Sequence, residues 1–273
     1  MNRKAQVFVI TGASSGIGAA LARAAYAGGA RVVLAARRLK RLRELCAELD
    51  PSGERCMALG CDVTQDEDVQ RLVAATLERF ARLDVLIANA GFGVSAPFDQ
   101  LELEDYRRQL ETNLYGVLRC AKAALPALRQ SRGVLALMGS VCGYLSMPGV
   151  TPYSVSKYAL RALAEGLGCE LEKEGVRVLH IAPGFVKTEF RQVDNEGVHH
   201  AEHQDPVPSW LACPADRAAK VMLRAIRRRR REVVVTGHGR VLVWLVRHVP
   251  RFFGFLLRRS GALARQAPGA GPR

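Results

Sequence analysis

Thr11-Gly-Ala-Ser-Ser-Gly-Ile-Gly18 follows the apolar run Val7-Phe-Val-Ile10 and precedes the helix-like stretch Ala19–Ala27. Glycines at 12, 16 and 18 permit a tight turn, close backbone approach to a pyrophosphate, and close packing of a helix on a strand. The helix N-terminus then faces the anion. Gly12, Ser14, Ser15, Gly16, Ile17 and Gly18 are therefore candidate cofactor-binding residues. A glycine-rich turn alone is a weak signal. Placed between the first strand and first helix of an alternating chain, it is a strong one.

The alternation is present. Short apolar runs at Val7–Ile10, Arg31–Ala35, Arg55–Gly60, Val85–Ala88, Val134–Met138, Val176–Ile181 and Glu232–Val235 read as strands. Helix-period stretches lie between them, such as Val69, Leu72, Val73, Leu77 and Phe80 on one face. The pattern predicts an α/β fold, a Rossmann-type doubly wound parallel seven-stranded sheet with helices on both faces. Residues 1–237 form the nucleotide-binding and catalytic domain, and residues 238–273 form a basic amphipathic helical appendage.

Charge supports this division. The 273 residues carry 40 Lys+Arg against 26 Asp+Glu, a net +14. Fifteen of those basic residues and two of the acidic ones lie in residues 214–273, so the body is near neutral. A 49% hydrophobic, 24% charged composition excludes a disordered or fibrous chain. Seven cysteines, with no C-x-x-C pair, argue against a disulfide framework or zinc site and fit a reducing, cytoplasmic setting. Met1-Asn-Arg-Lys before Val7 mimics a signal peptide, but the apolar run is too short. No stretch reaches the ~18–20 apolar residues of a spanning helix.

About twenty residues beyond the glycine turn, an acidic side chain would bind the ribose 2′-hydroxyl of NAD. Here strand two ends Leu34-Ala-Ala-Arg-Arg38. Arg37 can pair with a 2′-phosphate and stack on adenine, which predicts NADP(H) over NAD(H). Alternatively, Arg37 and Arg38 are solvated residues opening the next helix.

Taken together, the motifs resemble the short-chain dehydrogenase/reductase family, over residues 5 to about 237. They are Thr11-Gly-x-x-x-Gly-x-Gly18, Asp62-Val63, Asn89-Ala90-Gly91, Asn113, Ser140, Tyr153-x-x-x-Lys157, and Pro183-Gly184 with Thr188. The usual Asn-Asn-Ala-Gly has Ala88 at its first position. The resemblance implies that Asp62 and Val63 meet adenine and that Asn89, Ala90 and Gly91 flank the ribose. Bracing the sheet would be an alternative role for Asn89. It further implies that Pro183, Gly184, Val186 and Thr188 meet the nicotinamide, and that Asn113 holds a water relaying protons through Lys157. A homodimer or homotetramer is implied as well.

The chemistry also follows from the residues. Tyr153 and Lys157 share one helix face. An ammonium beside a phenol favours the phenolate and brings its pKa toward the working range. Lys157 can also reach ribose hydroxyls, and Ser140 can donate to a developing alkoxide. Asn113, Ser140, Tyr153 and Lys157 are thus the candidate catalytic set for a ketone/aldehyde–alcohol oxidoreductase. A catalytically idle nucleotide-binding or membrane-scaffold protein of the same fold is the alternative, and the intact set disfavours it.

Ligands in such sheets bind beyond the carboxyl ends of the strands. Leu145, Phe185 and Phe190, with Ser140 and Tyr153, are the candidate substrate contacts. They suit an apolar lipid-, steroid- or aromatic-like substrate, unless these side chains merely seal the lid. His199, Glu202 and His203 match H-x-x-E-H but lie in a polar, Pro-bounded stretch, so no metal is expected. In the appendage, Arg240, Arg247, Arg251 and Arg258 fall within roughly 20° of one helical line, with Val241, Leu242, Trp244, Leu245, Phe252 and Phe253 around them. Pro250 splits the segment in two and opens the second helix. This is the pattern of a helix lying on an anionic membrane, or of one packing on the body or a partner subunit. Nucleic acid is not expected, because no reading element is present.

Overall fold

The computed structural model describes residues 5–192, 207–208 and 210–259. His199, Glu202 and His203 lie outside the described residues. Strand β1 (Val7–Thr11) alternates its side chains between two cores: Phe8 and Ile10 face one, Val7 and Val9 the other. Period-two alternation with every position apolar is what a strand buried on both faces requires.

Around β1 stand β2 (Arg31–Ala36), β3 (Cys56–Gly60), β4 (Val85–Ala88), β5 (Val134–Met138) and β6 (Arg177–Ala182). Beyond β6, β7 (Val186–Lys187) and β8 (Cys213–Pro214) form a two-residue parallel pair, and β9 (Glu232–Val234) closes the main sheet. The main sheet has seven parallel strands in the order β3-β2-β1-β4-β5-β6-β9. The order reverses at β1, and the crevice beyond the β1 and β4 ends is the switch point where such sheets bind ligands.

Helices α1 (Gly16–Ala27), α2 (Leu39–Leu49) and α7 (Ala215–Arg227) cover one face, through Leu21, Leu42 and Met222. Helices α3 (Asp66–Phe80), α5 (Gly116–Ser131) and α6 (Thr151–Glu170) cover the other, through Leu72, Leu128 and Leu160. Helix α4 (Leu103–Leu110) runs through a π-helical turn, Glu111–Tyr115, into α5. All seven cysteines are free thiols.

Two helices follow the sheet. Helix α8 (Gly237–His248) and α9 (Pro250–Arg259) meet at Val249, with Pro250 as the first residue of α9. The arginine line is not a single outward stripe. Arg240 turns its Nε to the Val234 carbonyl at 3.0 Å, and Arg247 pairs with Glu232 at 3.0 Å. Val243 is buried with Val141, Tyr144 and Ala182, whereas Val241 and Trp244 are 58% and 55% exposed. The apolar arc therefore serves both the body and the outside, because α8 rests on its Gly239–Val243 edge. No described helix is long and apolar enough to cross a membrane.

Candidate active site

The glycine turn is built as its residues demand. Gly12 and Gly16 have φ of +65° and +54°, the left-handed region that glycine enters without a Cβ clash. A Cβ on Gly12 would lie 2.8 Å from Ala90 Cα, and one on Gly18 would lie 2.3 Å from the Gly12 carbonyl oxygen. The turn is thus pressed against the end of β4. Asn89 locks it there: its Nδ2 donates to the Thr11 and Gly12 carbonyls at 2.8 and 3.2 Å. Thr11 Oγ1 accepts from the Asn89 and Ala90 amides, both at 3.0 Å.

Ser15 precedes α1 without capping it, and the first turn of that helix contains no acidic side chain. Its free N–H groups suit a phosphate. Over this turn lies Arg38, whose Nε and Nη2 donate to Ser14 Oγ at 3.1 Å and Ser15 Oγ at 2.6 Å. Glu189 bridges Arg38 at 3.5 Å and Arg41 at 2.7 Å. Arg37 is exposed beside this group. The motif position points to Arg37 and does not reveal the Arg38–Arg41–Glu189 clasp. Two arginines three apart at the start of α2 were its only local sign, and Glu189 is far away in sequence.

Asp62 is partly occupied by its own loop: Oδ1 accepts from the Thr64 amide and hydroxyl at 3.0 and 2.8 Å. Val63 is buried against Gly116, where a Cβ would come within 2.7 Å of Val63 Cγ2. Thr188 stands over Gly16, and its Oγ1 accepts from the Phe190 amide at 3.3 Å. A cleft of about 950 Å³ opens on this side, lined by Ser14, Ser15, Gly16, Arg41, Thr188 and Glu189 among others. Tyr153 and Lys157 do not line it.

Beyond β4, β5 and β6 lies a second group. Helix α6 begins with Pro152 in its first turn, a position where the missing N–H costs nothing. It presents Tyr153 and Lys157 one turn apart, with Lys157 Nζ 5.4 Å from the Tyr153 ring centre. Lys157 is 5% exposed and donates to the Met138 carbonyl at 2.8 Å. Burial pulls its pKa down to about 8. Ser140 follows β5 at a short turn; its Oγ accepts from the Cys142 amide at 3.1 Å. Gly143 in the same turn packs on the Lys157 carbonyl, with room for no Cβ. Burial raises the Cys142 thiol pKa, which suits an inert core cysteine.

Asn113 is fully buried in the π-helical turn. Its Oδ1 accepts from the Phe92 amide at 3.1 Å, and its Nδ2 donates to the Phe92 carbonyl at 2.9 Å and Ser156 Oγ at 3.2 Å. A Cβ on Gly91 would meet Asn113 Oδ1 at 2.8 Å. Phe190 folds over Tyr153 with ring centres 5.6 Å apart, above Gly93. Leu145 is buried and Phe185 half-buried, while Trp210 is 82% exposed.

Behind Ser140 lies a polar cluster with no local sign in the sequence. Tyr144 Oη bonds Glu232 at 2.6 Å and His180 Nδ1 at 3.1 Å. Burial pulls the His180 pKa down to about 4, so the ring is neutral. Its Nε2 fills the place where a Cβ on Gly139 would stand. Among the described residues, no group of three or more His, Cys, Asp or Glu could hold a metal ion.

Comparison with known proteins bears on the family and the fold. The short chain dehydrogenase family profile matches residues 6–199. An uncharacterized oxidoreductase of Listeria monocytogenes is 35% identical over 193 residues, covering 70% of this chain and 78% of its own. One from Staphylococcus saprophyticus is 37% identical over 185 residues, covering 67% and 79%. Among solved structures, an alcohol dehydrogenase from Thermococcus sibiricus complexed with 5-hydroxy-NADP aligns with a TM-score of 0.75 and 30% identity, over 85% of this chain and 96% of that one. A short chain dehydrogenase/reductase from Burkholderia phymatum in complex with NAD aligns at 0.80 and 26%, over 91% and 95%.

Proposed function

The chain belongs to the short chain dehydrogenases, and from that premise we propose that it is an NADP(H)-dependent oxidoreductase that interconverts a ketone or aldehyde and an alcohol on an apolar substrate. One observation carries the reading. The buried Lys157 ammonium is anchored on the Met138 carbonyl beside the Tyr153 ring, on the helix that also meets the Ser140 turn.

The residues fit the cofactor. The uncapped first turn of α1 and the Gly12–Gly18 turn would hold the pyrophosphate. Arg37 and Arg38 would hold a 2′-phosphate, and Asp62 and Val63 would meet the adenine. Asn89 keeps the turn in place, with Ala90 and Gly91 along the ribose. Pro183, Gly184, Val186 and Thr188 would border the nicotinamide. When bound, that group exchanges a hydride with the carbonyl carbon.

In reduction, Tyr153 gives its phenolic proton to the substrate oxygen, and in oxidation it takes that proton back. At pH 7 a lysine with a pKa of about 8 is mostly cationic, so Lys157 stabilises the phenolate. Ser140 Oγ accepts from Cys142, which leaves its proton for the substrate oxygen. Asn113, fixed beside Ser156, orders the water through which Lys157 passes protons. Phe185 and Phe190, with Leu145 behind, form the apolar wall.

Residues 1–237 are the catalytic unit, assembling as a homodimer or homotetramer. Residues 238–273 hold it peripherally on an anionic membrane at the cytoplasmic face, where apolar substrates collect. Support comes from the exposed Trp244, Phe252 and Phe255 and from the basic charge concentrated in this part of the chain.

The test is NADPH and NADH consumption over a panel of steroid, long-chain and aromatic ketones. NADPH is expected to be preferred, and Tyr153→Phe is expected to lose about 10²-fold or more in kcat. Full turnover by Tyr153→Phe would overturn the mechanism, and equal use of both cofactors would overturn the NADP(H) assignment.

A further inference from the structure

Helix α8 is tied to both segments that flank the site. On one side, its Gly239 packs so closely on Val141 that a Cβ would come within 2.9 Å of Val141 Cγ1. Arg247 holds Glu232, which in turn takes the Tyr144 hydroxyl beyond Ser140. On the other side stands His238. Thr236 caps α8, its Oγ1 accepting from the Gly239 amide at 3.2 Å. His238 Nε2 lies 3.1 Å from that hydroxyl and 2.9 Å from the Phe185 backbone nitrogen. An amide N–H can only donate, so Nε2 accepts and the ring proton sits on Nδ1. The imidazole also stacks on the Phe185 ring, with centres 5.4 Å apart and planes at 25°. The fit leaves no slack: a Cβ on Gly184 would lie 2.5 Å from His238 Nε2 and 2.4 Å from Thr236 Oγ1.

We propose that His238 is a positioning residue of the reaction: as a neutral imidazole it fixes the amide and ring of Phe185 and so sets the Pro183–Thr188 segment against cofactor and substrate. This rests on the reading of that segment as the nicotinamide border. His238 touches no reacting atom; it acts through Phe185. The first turn of the appendage thereby belongs functionally to the catalytic unit.

Protonation of Nε2 would replace the acceptor with a donor facing another donor, and the tie would be lost. Burial holds the His238 pKa below the ordinary 6.5, so the tie stands at neutral pH and fails in acid. The groups packed around the ring are the neutral Thr236, Gly184 and Phe185. The nearest ionisable groups along the chain are turned elsewhere or exposed. Arg240 bonds the Val234 carbonyl, Glu232 is taken by Arg247 and Tyr144, and Lys187 is exposed on β7.

The test uses the full-length protein without cofactor, reading the hydrogen-exchange protection of the Phe185 amide by NMR. In the wild type, protection is expected to stand at pH ~7 and to be lost at an acid pH below the titration of the His238 ring. His238→Ala is expected to lack that protection at neutral pH. His238→Gln, whose side-chain oxygen accepts without titrating, is expected to keep it at both pH values. In turnover, His238→Ala is expected to raise the KM for NADPH about fivefold, with kcat within about twofold, and His238→Gln to restore it. Unchanged Phe185 protection in His238→Ala, or failure of Gln to differ from Ala, would overturn the proposal. If His238→Ala does not fold, the wild-type titration against His238→Gln decides. Absence of NADPH binding in the wild type would instead defeat the parent reading and leave the exchange result intact.

Discussion

At Lys157, the charge that the proposed chemistry uses is held where folding resists it. The side chain is 5% exposed, with the Met138 carbonyl as its hydrogen-bond partner, and burial lowers its pKa from 10.5 to about 8. Between those values the unfolded chain binds a proton that the folded chain lacks. Stability contributed by this group therefore rises with pH from about 8 to about 10.5, and the burial penalty is fully present below pH 8. Its size is on the order of 3 kcal/mol. Lys157→Met removes the charge but leaves the Met138 carbonyl without its donor, which costs about 1–3 kcal/mol. The two nearly cancel at pH 7. We expect Lys157→Met to abolish turnover while melting within a few degrees of the wild type at pH ~7, and to fall progressively below it as pH rises toward ~10. Parallel calorimetric scans check this, and a constant gap across pH would refute the buried cation. Gly12 carries a different demand. An alanine there costs about 1–2 kcal/mol for its left-handed backbone alone and drives a Cβ into Ala90 Cα at 2.8 Å. Gly12→Ala should lower Tm by about 3–8 °C and weaken NADPH binding, both readable by thermal shift with and without the cofactor.

The strands and their order of appearance were legible, because the inner sheet strands are short apolar runs buried on both faces, and such runs stand out between helix-period stretches. Bounds moved by only a residue, as at β3, which begins at Cys56 rather than Arg55. Tyr153 and Lys157 were legible because one helical turn joins them. Local pattern could not reveal what depends on packing between distant segments. The π-helical turn that seats Asn113 has no signature in Glu111–Tyr115, since one added residue per turn leaves the apolar spacing nearly unchanged. The Tyr144–His180–Glu232 cluster joins three separate segments, and the clasp of Arg38, Arg41 and Glu189 joins the start of α2 to a segment about 150 residues on. At the β2–α2 junction this difference can be measured. Arg38 is already held over Ser14 and Ser15, so a 2′-phosphate contact there would need little reorganisation. A charge-assisted bond lost is worth about 1.5–3 kcal/mol. Arg38→Ala should therefore raise the KM for NADPH about tenfold or more, while NADH shifts by about twofold at most. Arg37→Ala should have the smaller effect. Loss carried by Arg37→Ala alone would return the 2′-phosphate to Arg37 and leave Arg38 a structural clasp.

Across the whole molecule the +14 net charge is an uneven quantity, concentrated in residues 214–273. Some of that charge is spent within the fold. Arg231 pairs with Glu172, Arg247 with Glu232, and Arg229 donates to the Arg132 and Gly175 carbonyls. Such arginines give little to a membrane, so total charge overstates the attraction. Among the described residues of α8 and α9, the large apolar side chains that face outward are Trp244, Phe252 and Phe255, 55%, 59% and 47% exposed, with Val241 at 58%. Tryptophan and phenylalanine beside arginines suit the headgroup boundary better than open water. Deleting the appendage would be a poor test, because Gly239, Val243 and Arg247 brace the Ser140 and Tyr144 segment. Point changes on the exposed side separate the two roles. Trp244→Glu with Phe252→Glu should reduce cosedimentation with phosphatidylglycerol-containing vesicles about tenfold or more at ~0.1 M salt. It should leave turnover of a water-soluble ketone within about twofold. Wild-type binding should weaken but persist at ~0.5 M salt, since the aromatic contribution is not screened. Vesicle binding that survives the double change would make the exposed face a contact with another protein surface. Turnover that collapses with it would instead join that face to the catalytic unit.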